Sequence, residues 1–142
     1  MLTIWGRLNS HNVKKVVWFA EELGLPYVRH DVGGAYGMDA AYLALNPDAQ
    51  IPTIEHDGFV LSESNAVLRY LAARHGGTYW WSEDARTRAL ADRWMDWQID
   101  YAEAQRDAFV NLIRRAPEHR AAEEIASAAD RCARPKACTQ GQ

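Results

Sequence analysis

Two hydrophobic rhythms divide the chain. Residues 1–5 alternate apolar and polar side chains, as a strand with one covered face does, and residues 6–12 then supply turn and cap residues. Val13, Val16, Val17, Ala20 and Leu23 recur at helical spacing on one face, and Gly24 followed by Pro26 marks the stop. Residues 27–32 predict a second strand. A helix joined to two strands by short connections makes those strands parallel, with a right-handed crossover. The glycine-rich segment 32–37 leads into a short helix over 39–45, ended by Asn46-Pro47. Asp57-Gly58 between the β-prone runs 51–56 and 59–61 is a strong hairpin signal and makes that pair antiparallel. Val67, Tyr70 and Leu71 then predict a helix over 64–75, with Gly76-Gly77 as its stop. The order is β-α-β followed by α-β-β-α, an α/β domain over residues 1–76.

Beyond a linker at 77–83 the rhythm changes. Residues 84–114 predict one helical stretch carrying Trp94, Trp97, Tyr101 and Phe109. At ~1.5 Å per residue it would run about 46 Å, longer than one small sheet needs. It therefore predicts a separate all-helical layer over 84–134. Pro117 breaks the stretch, residues 118–132 predict a further helix, and residues 135–142 show no periodicity.

Composition narrows the range of partners. The 142 residues are 48% hydrophobic and 25% charged with a net charge of −3, without the basic excess that nucleic acid or an anionic membrane surface attracts. A small ligand is expected instead. No window approaches the ~18 apolar residues of a membrane span, and the N-terminus lacks the basic-then-apolar pattern of a leader, which points to a cytoplasmic protein. Cys132 and Cys138 match neither a CxxC pair nor a usual zinc spacing and read as bystanders. His11, His30, His56, His75 and His119 are too scattered to predict a metal site.

Three features converge on one end of the predicted sheet. The first is Asn9-Ser10-His11-Asn12 at the start of the first helix, where unpaired N–H groups and the macrodipole favour an anion. A hydroxyl there can donate to a thiolate; with roughly 1.5–3 kcal/mol from that bond and roughly 0.3–1 kcal/mol from the helix end, a bound thiol's pKa falls by about one to three units. Ser10 or Asn12 can equally serve as a plain N-cap. The second is Ile51-Pro52, which is either an ordinary trans proline opening an edge strand or a cis peptide that turns the Ile51 main chain toward an extended ligand. The third is Glu63-Ser64-Asn65 at the next helix start. Ser64 suits a carboxylate and Glu63 an ammonium, and together they would read an amino-acid zwitterion; a cap with a favourable acidic first turn is the alternative.

The stretches GRLNSHNVKKVVWFAEELGLPY, NPDAQIPTIEHDGFVLSESNAVLRYLA and RWMDWQ resemble the cytosolic glutathione S-transferase superfamily, in a form similar to bacterial members, over residues 1 to about 130. The resemblance implies a thioredoxin-like first domain in which Pro52 is cis, Ile51 pairs with the cysteinyl backbone of glutathione, and Glu63 and Ser64 bind its γ-glutamyl end. Serine-type members place the thiol-activating residue six positions before a buried valine, which falls on Ser10 when counted from Val16. Asn12 is the second candidate, suited to glutathione-dependent disulfide reduction. The missing cysteine at this point disfavours chemistry through a protein thiol. Gln50 either bonds the glycyl end or is simply solvated. Trp94, Trp97 and Tyr101 either wall an apolar co-substrate pocket or pack in a core. The implied activity is attack of the glutathione thiolate on a small electrophile, without a metal, in a homodimer paired through the helix that carries Arg69 and Tyr70 together with the long helix.

The likeness fails at the end of the chain. Family members continue with several more helices, whereas this sequence passes abruptly from residues 130–134 into PKACTQGQ. The expectation is an incomplete all-α C-terminal domain, as in a truncated or frameshifted transferase. A glutathione-binding module without turnover is then a further alternative.

Overall fold

The computed structural model describes residues 1–133; the predicted tail at 135–142 and Cys138 lie outside the described residues. β1 (Leu2–Trp5) pairs in parallel with β2 (Tyr27–His30) and antiparallel with β3 (Thr53–His56), which pairs antiparallel with β4 (Phe59–Ser62). The sheet order is β2-β1-β3-β4, the thioredoxin-like layout that the family resemblance implies. The second strand stops at His30, two residues earlier than predicted: the Val32 carbonyl accepts from the Arg7 N–H past the end of β1, and the Gly33 N–H donates to the Gly37 carbonyl within the loop that follows.

Alternation along the strands sets the layers. Leu2, Ile4 and Ile54 turn to the face covered by α1 (His11–Glu22) and α3 (Ser64–His75), and they form one core with Val16, Ala20, Val67 and Leu71. Val17 and Leu23, predicted on the inner face of α1, pack partly buried at its margin. On the other face, Thr53 meets Tyr42 of α2 (Ala40–Leu45), a helix capped by the Asp39 carboxylate, which accepts from the Tyr42 N–H at 2.8 Å.

Strand register fixes which loops meet. Trp5 lies opposite both His30 and Thr53, and Thr53 lies opposite Ser62. The loops that leave β1 and β2, enter β3 and leave β4 therefore emerge along one edge. All three features singled out from the sequence stand in that row.

The opposite edge gathers a titratable group that the scattered sequence positions did not foretell. The ring of buried His56 lies 5.1 Å from that of His75, its Nδ1 is 3.1 Å from the Tyr70 hydroxyl, and its Nε2 is 3.7 Å from Asp57, which also binds the N-terminal ammonium. Burial holds the His56 imidazole below its ordinary 6.5; Asp57 opposes this, and His75, Arg74 and the ammonium add to it. The folded chain thus binds fewer protons here than the unfolded chain just below pH 6.5, so stability falls as the pH drops through that window. Denaturant midpoints measured from roughly pH 7.5 down to 5 should decline less steeply in His56→Gln; an unchanged slope would remove His56 as the cause.

Within the segment expected to link the domains, Gly77–Trp80 forms a one-turn helix, α4, and the Trp80 ring meets Phe19 edge-on at 5.1 Å. α5 (Ala85–Phe109) follows, with Asp84 accepting from the N–H and hydroxyl of Thr87 at 2.8 and 2.7 Å. The chain divides into two compact units at Arg88/Ala89, so the opening residues of α5 belong with the first. The predicted stretch to residue 114 ends in a π-helical turn, Val110–Arg114, and the predicted helix at 118–132 divides into a short 3-10 turn, Pro117–His119, and α6 (Ala122–Ala133). Buried Asn111 explains this corner: it donates to the Asp107 carbonyl at 2.8 Å and to Glu124 at 2.7 Å, and it accepts from the Ala121 N–H at 2.8 Å. Pro117 prevents any continuation of the preceding helix.

Candidate functional site

Ser10 occupies the N-cap position of α1, in extended conformation and 7% exposed, but its hydroxyl caps no helix N–H. Only its main chain is engaged, donating to the Arg7 carbonyl at 3.2 Å and accepting from the Lys14 N–H at 2.9 Å. Of the two readings open at Ser10, the plain side-chain cap is not the one adopted. Asn12 is exposed in the first turn of α1.

Gly6 joins this helix start to the next feature. A Cβ there would stand 2.4 Å from Val13 Cγ2 and 3.4 Å from Ile51 Cβ, so only a glycine lets the β1 exit pass between α1 and the loop entering β3. The Ile51-Pro52 peptide is cis, with Pro52 buried and Ile51 half-buried.

A buried polar network holds that loop. The Tyr42 hydroxyl bonds the Gln50 carbonyl and lies 2.9 Å from Thr53 Oγ1, while Asn46 Nδ2 donates to the same two oxygens at 3.0 Å each. The Gln50 side chain is exposed, and its contribution inside the protein is its carbonyl. The sequence reading took Asn46 only as a helix stop and assigned Tyr42 no role; the Asn-Pro pair just before Ile51 was the available signal. Asn46→Ala is expected to lower the unfolding free energy by about 1–3 kcal/mol in urea titrations, and Gln50→Ala to leave it nearly unchanged. Equal losses from the two would mean that the Gln50 side chain, not the network, fixes the loop.

At the exit of β4, Glu63 has φ +64 and ψ +104, its side chain is exposed, and it makes no capping bond. Ser64 and Asn65 open α3 and are both buried. Lys15 of α1 reaches across and donates to Asn65 Oδ1 at 2.5 Å. Burial lowers the Lys15 pKa to about 8, with the Glu63 carboxylate resisting the fall and Arg69 adding to it. An ammonium and a carboxylate thus flank the start of α3. Lys15, within NVKKVV, has the sequence appearance of an ordinary solvated lysine, so nothing local signalled this role.

Trp94, Trp97 and Tyr101 lie on α5 in the second unit and form a continuous aromatic run, with ring centroids at 5.6 Å edge-on and 5.1 Å stacked. All three are exposed, and no residue of α5 is buried, so the described chain does not use them as core. Tyr70 is engaged within its own unit by His56 and by the Phe59 ring at 5.1 Å. Cys132 is a half-buried free thiol. Among the described residues no group of three or more His, Cys, Asp or Glu is placed to hold a metal ion, and no helix is long and apolar enough to cross a membrane.

The family profile described as "Glutathione S-transferase, N-terminal domain" matches residues 9–74. Glutathione S-transferase GstB of Escherichia coli strain K12 is 41% identical over 137 residues, which make up 93% of this chain and 66% of that protein. Rat glutathione S-transferase theta-1 is 30% identical over 101 residues, 69% of this chain and 42% of the relative. Among solved structures, the theta class glutathione S-transferase from Xanthomonas axonopodis pv. citri with glutathione bound superposes with a TM-score of 0.87 at 43% identity, over 92% of this chain and 64% of that one. Apo human glutathione S-transferase T1-1, at 22% identity and a TM-score of 0.77, shares the fold. The chain spans just under two thirds of the length of GstB and of the Xanthomonas enzyme.

Proposed function

Since the chain belongs to the glutathione S-transferase superfamily, we propose that the row formed by Ser10, Ile51-Pro52 and Glu63-Ser64 binds glutathione and ionises its thiol for attack on an electrophile. The observation that carries this reading is Ser10, a buried residue at a helix N-terminus whose hydroxyl is spent on no helix N–H. The main chain of Ile51 pairs with the cysteinyl residue. Glu63 takes the γ-glutamyl ammonium, and Ser64 with the first N–H groups of α3 takes the carboxylate. Gln50 borders the glycyl end.

The bound thiol gives its proton to solvent, and Ser10 donates to the resulting thiolate. The sulfur then attacks an electrophilic carbon, and the leaving group, where there is one, departs with the bonding electrons. Trp94, Trp97 and Tyr101 offer an apolar aromatic surface for the co-substrate. The reading includes a cytosolic setting and a two-fold dimer through the helix carrying Arg69 and Tyr70, with the exposed Phe59 and Val60 alongside it; a monomeric mass in solution would remove the dimer.

Ultraviolet titration of glutathione with the purified protein tests binding and thiolate formation together. Saturable binding with thiolate absorbance at neutral pH, plus turnover of a model electrophile, is the expected result. Reduction of a small disulfide instead would favour Asn12, exposed on the first turn of α1, as the working residue. Binding without either turnover would make the chain a glutathione-binding module, and no binding would end the reading.

A further inference from the structure

We propose that Arg7 is a carboxylate-binding residue of this site, its guanidinium holding a carboxylate carried close to the reacting sulfur; this rests on the glutathione reading above. Arg7 lies between β1 and α1, and its main chain is tied at both ends: its N–H donates to the Val32 carbonyl and its carbonyl accepts from the Ser10 N–H, each at 3.2 Å. Its side chain is laid against Gly33 and Gly34. A Cβ on Gly33 would stand 2.8 Å from Arg7 Nη1, and one on Gly34 3.0 Å from Nε and 3.2 Å from Cζ. Both glycines also have positive φ, +84° and +61°, so side chains are disfavoured there twice over. The chain has built a bare main-chain bed for one guanidinium.

What that guanidinium lacks is an anion. Arg29 pairs with Asp31 at 2.5 Å, Arg74 with Asp57 at 3.2 Å, and Arg88 bonds the Ser82 carbonyl at 3.2 Å. Arg7 is half-buried, and its side chain has no hydrogen bond or ion pair among the described residues. A planar fork with five donors, held in place and unspent, matches a carboxylate bidentately.

Its position fits the ligand's direction. In the order β2-β1-β3-β4, a peptide laid from Glu63 at the β4 exit past Ile51 at the β3 entrance next reaches the β1 and β2 loops. There Ile51 Cδ1 and Arg7 Nη1 both crowd the same point beside Gly33, at 3.3 and 2.8 Å from its absent Cβ. A carboxylate at that place is either glutathione's own glycyl group or one borne by the electrophile.

Calorimetric titrations with glutathione and with its glycyl ethyl ester, and rates with iodoacetate against iodoacetamide corrected for the uncatalysed reaction, separate the two. Each alkylation forms one C–S bond and expels iodide. If the glycyl group is the source, the wild type prefers the free acid over the ester by roughly 10- to 100-fold and Arg7→Met abolishes the preference. If the electrophile is the source, Arg7→Met raises KM for iodoacetate relative to iodoacetamide and leaves glutathione affinity unchanged. Arg7→Lys keeps the stem and charge over the two glycines but not the fork, and should retain part of whichever preference is lost. A folded Arg7→Met or Arg7→Lys protein with both preferences intact overturns the assignment. A wild type that binds neither form of glutathione overturns instead the reading on which it rests.

Discussion

Ser10→Ala is expected to raise the pKa of protein-bound glutathione by about one to two units and to lower kcat near neutral pH by about 10- to 100-fold, with little change in Kd. The magnitude follows from the state of the hydroxyl. It is bonded to no helix N–H, so donating to a thiolate does not require breaking a cap. A hydrogen bond to a charged acceptor contributes about 1.5–3 kcal/mol, and one pKa unit corresponds to about 1.4 kcal/mol. The helix end survives the substitution and still supplies roughly 0.3–1 kcal/mol, so the variant should bind thiolate more weakly rather than not at all. Because the deficit is one of ionisation, raising the pH should restore much of the variant's rate. Thiolate absorbance followed against pH in both proteins checks this. An unshifted pKa in Ser10→Ala would pass the role to Asn12 or to the main-chain N–H groups of α1.

That difference between Ser10 as cap and Ser10 as donor could not be read from residue type, because both uses place serine at a helix start. What the sequence did contain was the scaffold. Periodicity at Val13, Val16 and Ala20, the Asp57-Gly58 hairpin and the Gly76 stop each reflect local rules that the sheet and α1 to α3 obey. The meeting of three loops along one edge then follows from register, since Trp5, His30, Thr53 and Ser62 share a row. The supporting groups were hidden for the opposite reason. Lys15 resembles a solvated lysine until α3 places Asn65 against it, and Arg7 resembles a turn residue until Gly33 and Gly34 pass beneath it. His56 and His75 look unrelated until the hairpin and the end of α3 bring their rings together. In the second unit, periodicity foretold α5 but not the side-chain bonds of Asn111 that shape the corner after it. Lys15, Arg7 and His56 each meet a partner distant in sequence, which local propensity cannot supply.

Replacing Glu63 by glycine should separate stability from binding, strengthening the first while weakening the second. Glu63 is held at φ +64 and ψ +104, a region that side-chain-bearing residues rarely adopt, at a strain of about 1–3 kcal/mol. Glycine relieves that strain but loses about 0.5–1 kcal/mol of its own in backbone entropy, which leaves a net gain of roughly 1 kcal/mol in urea unfolding. Glu63→Ala keeps both the Cβ and the strain, so its stability should stay close to that of the wild type; the exposed carboxylate makes no capping bond to lose. Both variants remove the partner proposed for the γ-glutamyl ammonium, and glutathione affinity should drop by roughly 10- to 100-fold in each. The carboxylate also resists the lowering of the Lys15 pKa, so its loss lets the Lys15 ammonium give up its proton at a still lower pH, below about 8. Glutathione binding to either variant should accordingly depend more on pH just under that value than it does in the wild type. Unfolding and calorimetric titration on the three proteins check each part separately. A glycine variant less stable than the alanine one would show that no strain is stored at position 63, and undiminished affinity in both would place the ammonium elsewhere. If stability and binding do part in opposite directions, position 63 trades fold stability for a carboxylate that the backbone would not otherwise hold at the mouth of α3.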